Sequence, residues 1–206
     1  MTPVALHGAH VRLEPLTRSH ADALAAVAFD PALWTWSPTP LASRADLDRY
    51  LDAALGAQAA GTVLPFATLD RASGTVVGST RFGAWVPEHR RVEIGWTWIA
   101  RPWQRTAINT EAKLLMLRHA FGALGCARVE WKTDALNARS RAAILRLGAT
   151  EEGRLRSHMT TARGRRRDTV YFSVLADEWP RVEARLVERL RRGNGTREGT
   201  SPADGR

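Results

Sequence analysis

The stretch EIGWTWIARPWQRTAINTEAKLLMLRHAF, Glu93 to Phe121, decides the fold of this chain. Its first part reads as a strand. With a period of two, Val92, Ile94, Trp96 and Trp98 share one face while Glu93, Gly95 and Thr97 share the other. The turn ARPWQRTA follows, and then Leu114, Leu117, Phe121 and Leu124 recur at helical spacing before Gly122 or Gly125 closes the helix. A strand feeding a polar turn that opens a helix suits a phosphate, because the first-turn N–H groups lack intrahelical partners and converge on one point.

Upstream, HVRLEPL alternates as a first strand would, and Ser19-His20-Ala21-Asp22 fits a capping box before a short helix ending near Asp30 and Pro31. Trp34 and Trp36 stand in a Pro-rich loop, either as lids over a pocket or as anchors that bury the loop. Ser43-Arg44-Ala45-Asp46 is a second capping box, with Leu47, Leu51 and Leu55 on one helical face. LPFATLD and TVVGSTRFGAW flank a hairpin turn at Arg71 to Gly74, and VPEHR turns again into the strand of Glu93. Three consecutive antiparallel strands are the simplest account.

Downstream, CARVEWKTD reads as a strand parallel to that of Glu93, reached through a right-handed crossover. Asn137 caps the helix NARSRAAILRLG, which Gly148 ends. Two strands around Arg163-Gly164 and a charged helix from Asp177 to Arg192 complete one domain over residues 1–192. The remainder, 193–206, lacks apolar residues to bury and is expected to be a disordered tail.

A length of 206 residues suits one domain with a buried core. The single cysteine, Cys126, has no Cys or His at metal spacing and reads as a small buried apolar residue, so no metal is expected. No apolar run spans a bilayer and the N-terminus lacks a signal core, so the expected location is cytoplasmic and no membrane partner is expected. The formal charge of +9 comes almost entirely from arginine and permits either acidic partners or simple solubility. Arg154, Arg156, Arg163, Arg165, Arg166 and Arg167 cluster without an acidic residue until Asp168. They form either a solvated hairpin or an anion site.

The element order, the stretch EIGWTWIARPWQRTAINTEAK and the later NARSRAAILRLGA together resemble the GNAT superfamily of acyl-CoA-dependent N-acetyltransferases, within it the RimJ/RimL branch. The resemblance covers all but the tail. It implies an α/β (α+β) GNAT fold: a mixed, mostly antiparallel seven-stranded sheet flanked by helices. It also implies acetyl-CoA as co-substrate, a primary amine as acceptor (a protein N-terminus or a small molecule), no specific nucleic acid, and a monomer or homodimer.

The family's phosphate turn, Q/R-x-x-G-x-G/A, matches at Gln104 but has Ala107 and Asn109 at its two small positions, and Arg105 stands where many relatives have glycine. By this resemblance Gln104, Arg105, Thr106, Ala107, Ile108, Asn109 and Thr110 cradle the pyrophosphate. Thr97, Trp98 and Ile99 offer backbone to the pantetheine arm, and Asn137 and Arg141 approach the coenzyme from the later helix.

Acyl transfer needs an unprotonated amine, a stabilised oxyanion and a proton for the departing thiolate. Glu93 is the candidate base, with Gly95 leaving space above it; its alternative reading is a surface carboxylate paired with Arg81 or Arg91. Many family members use a tyrosine one helical turn beyond Ser140 to protonate the thiolate, but Ile144 stands there, which leaves Ser140 as the candidate and Tyr171 as a fallback. Trp34, Trp36 and Tyr171 would border the acceptor. If the arginine cluster faces that cleft, the acceptor carries negative charge. The rivals are a coenzyme-binding protein without turnover, motivated by Ala107 and Ile144, and a basic ribosome- or RNA-binding module, motivated by charge.

Overall fold

The structure, a computed structural model, describes residues 1–195. The strands are β1 Leu6–His7, β2 Val11–Pro15, β3 Leu64–Asp70, β4 Val76–Val86, β5 Arg91–Ile99, β6 Arg128–Asp134, β7 Thr150–Thr160 and β8 Arg166–Leu175. The helices are α1 Ala21–Ala28, α2 Arg44–Ala59, α3 Ala107–Arg118, α4 Ala138–Leu147 and α5 Trp179–Gly195. One sheet runs in the order β1-β2-β3-β4-β5-β6-β8-β7. Among the described residues only β5 and β6 pair in parallel; α3 is the crossover between them.

Among the described residues the sheet therefore has eight strands where the sequence pattern predicts seven. The extra strand is the two-residue β1, which pairs Leu6 with Leu13 and is too short to show a period. The last helix runs to Gly195, three residues into the segment expected to be a disordered tail; the rest of that segment, 196–206, lies outside the described residues.

The caps read from the sequence close the helices as expected for α2 and α4. Ser43 accepts from Asp46 N to open α2, Asn137 accepts from Ser140 N to open α4, and Gly148, at φ 98°, ends it. Upstream of α1 the cap is displaced: Thr17 and His20 form the box around a 3-10 turn, and α1 begins behind it.

Two apolar layers sandwich the sheet. Val92, Ile94, Val129, Trp131, Phe172 and Val174 pack beneath α3, α4 and α5. Leu16, Ala67, Leu69, Val76 and Trp98 pack beneath α1 and α2 on the other face. That second layer covers only the β2 to β5 half. Over β6 and β8 the same face is polar, with Lys132, Asp134, Arg167, Thr169 and Tyr171 on it.

Candidate functional site

The β5–β6 pair is the shortest of the central pairings, and its shortness makes the site. It registers Arg91 with Arg128, Val92 with Val129 and Glu93 with Glu130, and then the strands part. Beyond Glu93 the β6-facing edge of β5 has no strand partner, so its backbone groups face a gap. On the β4 side the register slips: Arg81 opposes Gly95 and Ser79 opposes Trp98, so Trp96 and Thr97 together oppose Thr80. This is a β-bulge, and its first residue, Trp96, sits at φ 50°.

The bulge overturns the face assignment drawn from strict alternation. Glu93, Gly95, Trp96 and Trp98 lie on the α2 face: Trp96 folds back over Gly83 and Arg81, and Trp98 packs on Trp34 at 5.4 Å between ring centroids. Thr97 joins Val92 and Ile94 on the α3 face, where its Oγ1 lies 2.8 Å from Thr80 Oγ1 and from Lys113 Nζ. Glu93 and Thr97 are therefore on opposite faces. One inserted residue shifts the period of two by one.

At the end of β5 the chain turns into α3. Gln104 Nε2 donates to Ile99 O at 2.7 Å and its Oε1 accepts from Arg139 Nη1 at 3.0 Å, so Gln104 braces the turn between β5 and α4. Arg105 adopts φ 62°, the left-handed conformation that glycine takes most easily. Thr106 is the N-cap of α3, and its Oγ1 accepts from Ile108 N. The amides of Ala107 and Asn109, in the first turn, have no intrahelical acceptor by position. Asn109 Oδ1 is buried with no hydrogen-bond partner.

These features fit a coenzyme A diphosphate and pantetheine arm: a helix N-terminus for the diphosphate, an open strand edge for the arm's amides, and an orphaned acceptor beside them. A cleft of about 2120 Å³ passes through the gap, lined by Thr97, Gln104, Asn109, Thr110, Asn137 and Ser140 toward the N-termini of α3 and α4.

Asn137 Oδ1 accepts from Ser140 N at 3.0 Å, so it caps α4, and the residue also lines the cleft. Arg141 is brought elsewhere. Its guanidinium is held by Glu151 at 3.0 Å and by Ala135 O, off the cleft lining. Helical spacing alone did not reveal that a carboxylate on β7 captures it, nor that Arg139 takes the place beside Gln104.

On the other side of the gap Glu93 is buried, not a surface carboxylate, and it pairs with neither Arg81 nor Arg91. Its Oε2 lies 2.8 Å from Lys132 Nζ, while Arg91 goes to Glu130. Gly95 does leave the space expected of it: a Cβ there would stand 2.9 Å from Glu93 Oε1. Burial lowers the pKa of the Lys132 ammonium, the hydrogen bond to Glu93 raises it, and the net shift is upward. Tyr171 stacks behind Lys132, whose Nζ is 5.2 Å from the ring centroid, and it does not line the cleft.

Trp34 is chiefly an anchor, donating from Nε1 to Ala28 O at 2.6 Å. Trp36 lines the cleft and carries the Arg165 guanidinium over its ring. Lys113, which sequence reading passed over within the α3 stripe, lies fully buried in the cleft wall and bonds to Thr80 and Thr97. Cys126 is buried as expected, with its thiol pKa pushed up to about 11 by desolvation. Among the described residues no cluster of three metal-type ligands occurs and no helix is long and apolar enough to cross a membrane.

The family model for the acetyltransferase (GNAT) domain matches residues 10–150. The Bacillus subtilis (strain 168) protein named "Putative ribosomal N-acetyltransferase YdaF" is 36% identical over 91 residues, 44% of this chain and 49% of that protein. The chain thus spans about half the length of the curated relatives it matches. A GCN5-related N-acetyltransferase from Brucella melitensis superposes with a TM-score of 0.86 at 35% identity, covering 92% of this chain and 86% of that one. Mycobacterium smegmatis RimJ in complex with CoA-disulfide superposes with a TM-score of 0.79 at 25% identity, covering 91% and 95%.

Proposed function

Since this chain belongs to the GNAT acetyltransferase family, in its RimJ/RimL-like branch, we propose that it moves an acetyl group from acetyl-CoA to a primary amine by direct attack on the thioester. The amine is that of a protein N-terminus or of a small molecule. The observation that carries this reading is the cleft through the β5–β6 gap, which joins the N-terminus of α3 on one side to the Glu93 carboxylate on the other.

When bound, acetyl-CoA supplies an acyl carbon made electrophilic by its thioester. The residues of this chain do the rest. The first-turn amides of α3, with Arg105 beside them, hold the diphosphate. The free edge of β5 beyond Glu93 orients the arm and presents backbone N–H to the thioester carbonyl, where negative charge develops. Glu93 takes the proton from the attacking amine, directly or through one water, and Lys132 fixes the carboxylate rotamer that faces the gap. Ser140, at the mouth of α4, returns a proton to the sulfur.

The test is a thiol-release assay with acetyl-, propionyl- and succinyl-CoA against a panel of amines: amino acids, polyamines, and peptides with free N-termini. Amine-dependent thiol release from acetyl-CoA with a matching N-acetyl product supports the proposal. Coenzyme binding without release from any amine would instead support a binding protein, the second reading. That reading is favoured by Ala107 at a small position of the turn and by Ile144 where many family members carry tyrosine.

A further inference from the structure

At the arginine-rich end of the molecule several cations are paired with carboxylates. Arg165 bonds to Asp134, Arg154 to Asp168, and Lys132 to Glu93. Arg81 lies between two aromatic faces, 4.8 Å from the Tyr50 centroid and 5.1 Å from Trp96, which supply cation–π contact in place of an anion. Arg163 and Arg166 are exposed.

Arg81 is 5% exposed and its Nε has no hydrogen-bond partner, but it does not line the cleft. Arg167 does: it is 7% exposed, its Nε also lacks a hydrogen-bond partner, and among the described residues no aromatic face covers it and no carboxylate lies within 4 Å of it. Desolvation lowers the pKa of this guanidinium, while Asp134 raises it and Arg165 lowers it further.

Two residues along the same strand face, Thr169 is 1% exposed, also lines the cleft, and its Oγ1 is likewise without a partner. Buried polar groups are seldom left unpaired, and a buried charge least of all. Here a cationic donor and a neutral hydroxyl are unpaired side by side, on the acceptor side of the gap, with Glu93 close enough to act on Arg167 electrostatically.

We propose that Arg167 and Thr169 form an oxyanion subsite for the acceptor, so that the preferred substrate is an amine whose own molecule carries a carboxylate. One unpaired guanidinium balances one negative charge, which favours a carboxylate over a phosphate dianion, and its planar fork suits a carboxylate's two oxygens. The carboxylate accepts from Arg167 and Thr169 while the amine faces Glu93. Two sources share this chemistry: a free amino acid with its α-carboxylate, and a peptide with Asp or Glu near its N-terminus.

This inference rests on the proposed acetyltransferase function, but its test does not need turnover. Binding is measured by calorimetry on the whole protein without coenzyme, comparing free amino acids with their α-amides, and peptides beginning with Asp or Glu with those beginning with Asn or Gln. Carboxylate members of at least one set are expected to bind at least tenfold tighter, and the responding set names the source. In Arg167→Gln the preference is expected to fall to about onefold, with partial return in Arg167→Lys and unchanged binding of coenzyme A.

Equal binding of carboxylate and amide by the unaltered protein overturns the proposal, whether or not the variants fold. So does a preference that survives in a folded Arg167→Gln. If the preference holds but no amine is acetylated, the acetyltransferase reading fails and the anion subsite stands.

Discussion

Lys113 Nζ donates to Thr97 Oγ1 at 2.8 Å and to Thr80 Oγ1 at 2.7 Å, so an ammonium on α3 holds the bulged part of β5 with no carboxylate beside it. Burial pulls its pKa from 10.5 to about 7. Between those values the unfolded chain binds a proton that the folded chain does not, so this group makes stability rise with pH across that window. Below pH 7 the penalty is present in full. Lys113→Met removes it, and the two hydroxyls still bond each other at 2.8 Å. The variant is expected to be more stable by about 3 kcal/mol at pH 6, with the gain shrinking toward pH 10. Denaturant unfolding at pH 6, 8 and 10 measures this; a gain independent of pH would contradict it.

A second carboxyl role is purely structural. Glu111 on α3 accepts from the backbone N–H groups of Ala9, His10 and Val11 at 2.8, 2.6 and 2.8 Å, tying the start of β2 to the helix that opens at the phosphate turn. Glu111→Ala strands three donors and is expected to cost about 3 kcal/mol in urea unfolding, with Glu111→Gln in between. Gly8→Ala is expected to destabilise in the same way, because its Cβ would stand 2.3 Å from Glu111 Oε2. No loss in Gly8→Ala would mean that the carboxylate has another seat.

These two residues also mark what sequence could and could not reveal. Periodicity and capping chemistry are local, so Asn137, Ser43 and Gly148 are readable, and residues of the strand–turn–helix from Glu93 line the cleft. The bulge at Trp96 was not readable, because it answers to Thr80 on a neighbouring strand and nothing near Trp96 in the chain announces it. The partners of Glu93 and Arg141 come from β6 and β7, so charge counting finds the arginine cluster but not that Arg167 is buried in it without a carboxylate. Lys113 and Glu111 stand beside the apolar stripe of α3, and their contacts come from the bulge of β5 and the start of β2, which no local pattern on the helix announces.

Arg139 and Arg141 neighbour each other on α4 but go to opposite sides. Arg139 bonds to Gln104, in the turn before α3, at 3.0 Å, and Arg141 to Glu151 at 3.0 Å. Calorimetric titration with coenzyme A is expected to show three- to tenfold weaker binding for Arg139→Ala, about 1 kcal/mol, and a change under twofold for Arg141→Ala. The reverse order would place Arg141 on the coenzyme after all.

Arg105 carries its side chain at φ 62°, which costs a residue other than glycine on the order of 1 kcal/mol. Arg105→Gly is therefore expected to raise stability by up to about 1 kcal/mol and, if Arg105 holds the diphosphate as proposed, to weaken coenzyme A binding, because the charge is lost with the strain. Arg105→Ala loses the charge and keeps the strain, so it should bind weakly without the stability gain. Unfolding and titration on the pair separate the two effects. Unchanged coenzyme affinity in both variants would confine Arg105 to the turn's geometry.

Glu93 meets Lys132 at 2.8 Å on the side of the gap away from α3. If Glu93 takes the proton of the amine, Glu93→Gln keeps the shape and one hydrogen bond but removes the base. It is then expected to lower kcat/KM by about 10²-fold or more, to flatten the acid limb of the pH–rate profile, and to leave coenzyme affinity unchanged. A carboxylate that merely neutralises Lys132 predicts otherwise: Glu93→Gln would then lose stability but keep its pH profile, and the double variant Glu93→Gln with Lys132→Met would recover both stability and rate. Steady-state rates from pH 5 to 9, with unfolding curves on the same samples, decide between the two roles.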